Sequence, residues 1–157
     1  MAETIKMPQR YQLKTLEAVE TQPLAVSVGI KPQLFGVPRP DLAGYRVKVP
    51  KQAPIWVIDH DGYRRWIPNP ATFNNLFRDW SVVEELDVAN IAETVPIDDG
   101  AILFKGSATA NVYLTDRGNK RWITSPAVMD KYNFNWSKIV VVPQILVNMI
   151  PTGLAWQ

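Results

Sequence analysis

The residues of most chemical interest are basic and aromatic side chains that interleave in two short stretches. They are Tyr63, Arg64, Arg65 and Trp66 in the first stretch, and Asn119, Lys120, Arg121 and Trp122 in the second. Aromatic rings in such patterns stack on sugars or bases, and the cations donate hydrogen bonds to hydroxyls, carboxylates or phosphates. We therefore predict that these residues, together with Trp56, bind a ligand. The alternative is structural, with Trp66 and Trp122 as core anchors and the cations in solvent or stacked on the rings.

The single histidine, His60, lies between Asp59 and Asp61. Carboxylates beside an imidazole can ligate a cation or tune the pKa of the ring. Neighbouring side chains on a strand point to opposite faces, so three consecutive residues do not converge on one ion. The triplet therefore predicts a solvated turn and no metal site. A small enzyme centred on His60 stays as a third hypothesis.

Other catalytic patterns are missing from the sequence. It has no serine in a nucleophile elbow, no glycine-rich phosphate loop and no cysteine. The adjacent acids Glu84-Glu85 and Asp98-Asp99 are typical of solvated loops rather than of a glycosidase pair. We predict a non-enzymatic protein with no catalytic residues and no cofactor.

Charge and hydropathy limit the partners. Seventeen Lys and Arg against fifteen Asp and Glu give a net charge of +2, whereas neutralising the phosphates of a nucleic acid usually needs a strongly basic surface. No stretch approaches the roughly twenty apolar residues of a membrane span, and Met1 to Arg10 do not resemble a signal peptide. We expect neither a nucleic-acid partner nor a membrane span. The compartment stays open between the cytoplasm and an export route that needs no signal peptide.

The tryptophans indicate an internal duplication that positions both candidate stretches. The interval from Trp66 to Trp122 equals the interval from Trp80 to Trp136. The same shift aligns Gly44 with Gly100, Val47 with Leu103, Ile58 with Leu114 and Val83 with Ile139, and a one-residue deletion then places Val95-Pro96 on Ile150-Pro151. Such clustering predicts two tandem units, at 44–99 and 100–157. Trp56 and Trp156 have no repeat partner in this alignment, and Gly153 to Trp156 would restart a third unit.

Each unit carries the same local signals. A strand is followed by a hairpin around Asp61-Gly62 or Arg117-Gly118, because glycine readily supplies the positive φ of a tight turn. Asn69-Pro70 and Ser125-Pro126 then predict the starts of short helices at 70–77 and 126–132. A further strand and a second helix, at 87–94 or 144–150, complete a β-β-β-α-β-α unit.

Two such units are too small to fold separately. We therefore predict an α+β fold in which two pseudo-symmetric units of β-β-β-α-β-α type pack as one domain around a shared core. Residues 1–43 lie outside the repeat and are rich in proline. They predict an N-terminal arm that packs on the repeats or on a neighbouring subunit.

Several motifs, most of them in the second unit, resemble the short tandem Trp-containing repeats of bacterial secreted and cell-surface proteins. They are Val112-Tyr113-Leu114, Gly118, Lys120-Arg121-Trp122-Ile123, Ser125-Pro126, Asn133-Phe134, Trp136-Ser137 and Ile150-Pro151-Thr152-Gly153. The first unit departs from this pattern, with Phe77-Arg78 in place of Asn133-Phe134. The resemblance implies an association with cell-wall or carbohydrate-active modules and carries over no catalytic residue.

These observations favour a non-enzymatic, lectin-like recognition module. It would bind a glycan or a cell-surface polymer through two basic and aromatic hairpins, and two weak sites on one body would gain avidity on a repetitive polymer. The alternative is a structural or protein–protein interaction subunit of a larger or self-assembled complex. In the self-assembled case, the chain would form a homo-oligomer.

Overall fold

A computed structural model describes residues 36–157 of the chain. Most of the predicted arm, residues 1–43, therefore lies outside the described residues. The described part is α+β, as predicted, with two four-stranded sheets and three short α-helices. The strands of sheet 1 are β1 (Arg46–Lys48), β2 (Ile55–Ile58), β3 (Arg64–Ile67) and β4 (Val83–Glu84); those of sheet 2 are β5 (Leu103–Gly106), β6 (Val112–Asp116), β7 (Asn119–Ile123) and β8 (Val140–Val142).

The two sheets have the same topology. Their strand orders are β3-β2-β1-β4 and β7-β6-β5-β8. In each unit, the second strand pairs antiparallel with the first and with the third, and the fourth strand is parallel to the first. Two copies of one mixed sheet in one chain are what a duplicated unit produces.

The strand register corrects the alignment of the units. Val47 pairs with Trp56 in sheet 1 and Phe104 with Tyr113 in sheet 2, so Val47 is equivalent to Phe104 and not to its neighbour Leu103. After the hairpin tips, Trp66 and Trp122 are equivalent, as predicted. The hairpin tip of the first unit is thus one residue longer. The pairs predicted before that tip, and the β4 pair, are wrong by one residue: Gly44 with Gly100, Val47 with Leu103, Ile58 with Leu114 and Val83 with Ile139.

The first helix of each unit begins where the sequence predicts. In α1 (Pro70–Leu76), the Asn69 side chain accepts a hydrogen bond from the Thr72 N–H at 2.8 Å. In α2 (Pro126–Lys131), the Ser125 hydroxyl accepts one from the Val128 N–H at 3.3 Å. A side-chain cap and a proline at the first position satisfy or remove the free N–H groups of a helix start.

The second helix forms in one unit only. The second unit contains α3 (Gln144–Met149), whereas the first has a single 3-10 turn at Val88–Asn90, so the helix predicted at 87–94 is wrong. The chain is already extended at Glu93, which pairs in parallel with Arg64 of β3. In that extended pairing, the backbone cannot continue a helix.

The last segment of each unit lies beside its second hairpin strand. Ile97 donates its N–H to the Trp66 carbonyl at 2.9 Å, and Trp156 donates its N–H to the Trp122 carbonyl at 2.7 Å. Ile97 and Trp156 are therefore equivalent positions. Trp156 completes the second unit rather than opening a third, and the predicted alignment of Val95-Pro96 with Ile150-Pro151 is wrong.

The segments after α1 and α2 pair with each other across a local twofold axis. Phe77, which follows α1, forms an antiparallel bridge with Phe134, its counterpart after α2. The flanking backbone hydrogen bonds run from Arg78 to Asn133 and from Asn135 to Leu76. One buried apolar cluster includes Val57, Ile67, Phe73, Leu76 and Phe77 together with Leu103, Leu114, Ile123, Met129, Tyr132, Phe134 and Trp156. Side chains of both units thus pack into one core.

Candidate functional site

Four tryptophans of the repeat are exposed, two in each unit. The exposed fractions are 41% for Trp66, 50% for Trp80, 41% for Trp122 and 45% for Trp136. The alternative that makes Trp66 and Trp122 core anchors is therefore wrong. Partly exposed indoles at repeated positions make these four residues candidates for contact with a ligand or partner.

Strand alternation places Trp66 on the opposite face of β3 from Arg65 and Ile67. Arg65 and Ile67 lie on the face of β3 that packs on the core, where Ile67 is only 5% exposed. Trp66, between them, points to the other face and pairs across the strands with Trp56. The equivalent alternation in β7 buries Arg121 and Ile123 and exposes Trp122.

A cleft separates Trp66 from Trp80 in the first unit. Its volume is about 260 Å³, and its walls are Ala53–Ile55, Ile67–Pro70 and Phe73 with the two tryptophans. The Trp80 ring stacks on Phe73, with centroids 4.1 Å apart and an interplanar angle of 12°. Phe73 is buried, so it fixes the exposed indole in one orientation. Within the described part of the chain, no charged side chain lines the cleft.

The second unit has exposed indoles at the equivalent positions, Trp122 and Trp136, and Trp136 has a different support from Trp80. Met129 in α2 occupies the position that Phe73 has in α1, and Trp136 donates its indole N–H to the Asp130 carboxylate at 3.3 Å. Asp130 in turn pairs with Arg78, and these contacts lower the pKa of its carboxyl. Trp136 is thus held by a hydrogen bond, whereas Trp80 is held by stacking.

The arginines of the predicted site face inward. Arg65 donates from Nε to the buried carboxylate of Asp59 at 2.9 Å, and that carboxylate also accepts the N–H groups of Asp61 and Tyr63. Arg121 donates to the Leu154 carbonyl at 2.7 Å and lies 3.4 Å from the Asp116 carboxylate. Both guanidinium groups are therefore committed to contacts within the protein.

These two arginines also approach each other. Burial, followed by the nearby charge of Arg65, lowers the pKa of Arg121, and Asp116 opposes the shift. The Cζ atom of Arg121 lies 4.7 Å from the centroid of the Trp156 ring. A cation held over an aromatic face is stabilised by the ring quadrupole, which favours this cluster as a structural element rather than a ligand site.

Lys120 and Arg64, which occupy the same position in the two units, are also bonded internally. Lys120 Nζ donates to the carbonyls of Val147 at 3.0 Å and Ile150 at 2.6 Å. Arg64 Nε donates to the Ile91 carbonyl at 2.9 Å, and its Nη2 lies 3.1 Å from a Glu93 oxygen. Burial lowers the pKa of the Arg64 guanidinium, with Glu93 acting in the opposite direction.

The other predicted site residues lie at the hairpins. Trp56 is half-buried, and the guanidinium carbon of Arg64 lies 5.0 Å from the centroid of its ring. The Trp56 indole N–H donates to the Glu93 carboxylate at 3.2 Å. Tyr63 and Asn119 are half-buried near the two hairpin tips. Of the predicted residues, only Trp66 and Trp122 join an exposed aromatic pair. The predicted site omitted their partners, Trp80 and Trp136, although Trp80 follows Trp66 at the same interval at which Trp136 follows Trp122.

Two residues of the triplet around His60 are more buried than a solvated turn would be. Asp59 is 1% exposed and organises the hairpin, and His60 Nδ1 is buried without a hydrogen-bond partner among the described residues. Within residues 36–157, no group of three or more His, Cys, Asp or Glu side chains could hold a metal ion. The prediction of a solvated turn is wrong for Asp59, which is a buried structural carboxylate.

Comparison with protein-family models, with curated proteins and with solved structures found no match for this chain. The resemblance to bacterial Trp-containing repeats therefore stays a prediction. Among the described helices, none has the length and apolar character needed to cross a membrane.

Proposed function

We propose that this chain is a non-enzymatic, lectin-like module that binds an uncharged glycan, or the neutral portion of a cell-surface polymer, through its exposed tryptophan pairs. The observation that carries the proposal is the apolar cleft between Trp66 and Trp80. Two indoles flank it, and one of them is fixed by stacking on Phe73. A pyranose ring with axial C–H bonds offers a flat apolar face of the size that an indole covers.

The absence of charge in the cleft favours a neutral ligand over an anionic one. An acidic sugar or a phosphate is usually bound by arginine or lysine side chains that are free to pair with it. In both hairpins, Arg64, Arg65, Lys120 and Arg121 are bonded to carboxylates or carbonyls of the protein itself. Asn69, the one polar residue of the cleft walls, is also engaged, with Thr72 and Asp99.

Hydroxyl recognition falls to the indole N–H groups of Trp66, Trp80 and Trp122. Among residues 36–157, none of these three N–H groups pairs with an acceptor, whereas that of Trp136 bonds to Asp130. A neutral sugar that stacks on one indole ring can accept, through a hydroxyl oxygen, a hydrogen bond from the N–H of the other indole. Contacts of this kind are weak singly, and two sites on one body increase the affinity for a repetitive polymer by avidity.

Binding to soluble neutral and anionic polysaccharides, followed by tryptophan fluorescence and calorimetry, tests the proposal. We expect a neutral polymer to bind, and salt to leave the affinity unchanged, because no free cation is used. Trp66→Ala should weaken binding at least about tenfold, which corresponds to about 1.4 kcal/mol. Leu86→Ala, which removes a 78% exposed side chain outside the cleft, is the matched control. Binding to no glycan, or to anionic polymers alone with strong salt dependence, would refute the proposal.

A further inference from the structure

Sheet 2 ends in an exposed, apolar edge strand on the side opposite its hairpin. Strand β8 is the last strand of the order β7-β6-β5-β8, and Val140 and Val141 in it are 44% and 58% exposed. The chain then turns at Pro143 into α3, which exposes Ile145, Leu146 and Met149. An edge strand of exposed valines is a template for pairing with another strand.

The duplicated unit provides an internal comparison. Strand β4 holds the equivalent edge of sheet 1, but it has only two residues and includes Glu84, with Glu85 next to it. Glu84 pairs with Lys48 as Val141 pairs with Lys105, so Glu84 and Val141 are equivalent. A charged edge is a common protection against strand pairing, and β8, which has three residues and ends before Pro143, carries no charge.

The backbone of Val141 faces the open side of β8. The Val142 carbonyl accepts the Ser107 N–H at 2.9 Å, so Val142 directs its backbone groups toward β5. Because alternate residues of a strand direct these groups to opposite edges, the N–H and C=O of Val141 point away from β5. Within the described residues, neither group has a hydrogen-bond partner.

The absence of charge makes this surface compatible with a second copy of the chain. Residues 139–157 contain no Asp, Glu, Lys, Arg or His. In a symmetric dimer, each residue near the axis faces its own copy, so any charge there would oppose a like charge. An uncharged surface is compatible with its own copy in a way that the Glu84-Glu85 edge is not.

We propose that β8 is the interface for a second copy of this chain. The two β8 strands pair antiparallel about a twofold axis near Val141, joining the two copies of sheet 2 into one continuous sheet. The exposed side chains of α3 lose contact with water in the same assembly. Each dimer then carries the tryptophan pairs of both copies, so it increases avidity for any polymer that those pairs bind.

Cysteine cross-linking tests the pairing directly, because the chain has no cysteine of its own. A hydrogen-bonded antiparallel pair holds its Cα atoms about 5.5 Å apart, which is within disulfide range. In the full chain, Val141→Cys should give a disulfide-linked dimer under mild oxidation. Glu84→Cys, at the equivalent position of β4, should stay monomeric. Equal cross-linking of the two variants, or none by Val141→Cys, would overturn the proposal.

Sedimentation equilibrium of the unmodified chain provides a second measurement that does not depend on disulfide geometry. We expect a monomer–dimer equilibrium, weakened by about tenfold or more in Val141→Lys, because two like charges would then face each other. Glu84→Lys should leave the equilibrium unchanged. A monomer at every concentration, as expected if another protein occupies the edge, would overturn the proposal, and circular dichroism verifies that both variants fold.

Discussion

The guanidinium carbon of Arg65, in the first unit, lies 5.5 Å from the centroid of the Trp156 ring, the penultimate residue of the second unit. The corresponding atom of Arg121 lies 4.7 Å from the same ring. Trp156 is 1% exposed and also contacts the Tyr132 ring edge-on at 5.3 Å. One side chain near the end of the chain thus contacts the inward-facing arginines of both repeats.

Removing that ring should therefore destabilise both units. We expect Trp156→Ala to lower the free energy of unfolding by about 3–5 kcal/mol, the usual cost of deleting a buried aromatic side chain. Urea denaturation measures the change. Leu154→Ala, two residues away and 82% exposed, should change stability by no more than about 0.5 kcal/mol. Equal effects of the two substitutions would contradict the position that Trp156 has in the core.

The carboxylates that pair with these arginines should differ in importance. Asp59 and Arg65 expose 2% and 12% of their side chains, and Asp59 accepts two backbone N–H groups besides. Asp59→Ala leaves a buried cation without its partner, which costs about 3–5 kcal/mol. The Asp116 side chain is 19% exposed, so water can replace it better in Asp116→Ala. The melting temperature of Asp59→Ala should therefore be clearly lower than that of Asp116→Ala. The reverse order would refute this interpretation of the hairpins.

Tyr132 should make stability fall in alkaline solution. Burial is the main cause that raises the pKa of its phenol above the ordinary value of 10.0, and its hydroxyl donates to the Gln157 carbonyl at 2.7 Å. Above pH 10.0 the unfolded phenol ionises while the folded one keeps its proton, so the unfolded state gains stability. Urea titrations should show the loss begin near that pH. Tyr132→Phe should reduce it, whereas Tyr45→Phe, at a 49% exposed position, should not.

The two tryptophan pairs should act as separate sites. Trp80→Ala removes the indole stacked on Phe73, and Trp136→Ala removes the indole bonded to Asp130. For a short neutral oligosaccharide, we expect each substitution to reduce the calorimetric stoichiometry from two sites to about one, and the double substitution to abolish binding. Affinity for the long polymer should fall further than for the oligosaccharide, because avidity is lost. An unchanged stoichiometry in both single variants would show that the indoles are not the sites.

Local signals predicted the helix starts and hairpin tips well. The caps at Asn69 and Ser125 act within three residues, and Gly62 and Gly118 take the positive φ that their turns require. Caps and turns depend on residues that are close in the sequence, so the sequence alone was enough to place them. The register was harder to predict, because the extra residue in the first hairpin shifts the preceding strands while the clearest identities follow it.

The orientation of the site depended on distant contacts. Alternation separates Arg65 from Trp66 but does not decide which of them faces the core. Arg65 is buried because it forms an ion pair with Asp59 and its guanidinium lies over the Trp156 ring. Trp156 is distant from Arg65 in the sequence. Lys120 and Arg121 looked like ligand contacts for the same reason, since both donate to backbone carbonyls that no side-chain pattern reveals.

The two hairpin glycines offer a matched test of how the chain before β1 packs on the first hairpin. Both have positive φ, 89° for Gly62 and 78° for Gly118, so alanine at either position costs about 1–2 kcal/mol of backbone strain. A Cβ on Gly62 would also lie 2.4 Å from the Pro40 nitrogen and 2.5 Å from the Arg39 nitrogen, whereas one on Gly118 would meet nothing within 4 Å. Gly62→Ala must therefore displace the Arg39 N–H that bonds to the Gly62 carbonyl at 2.8 Å. Chemical denaturation should show a clearly larger loss for Gly62→Ala than for Gly118→Ala; equal losses would mean that this contact adds nothing to the strain.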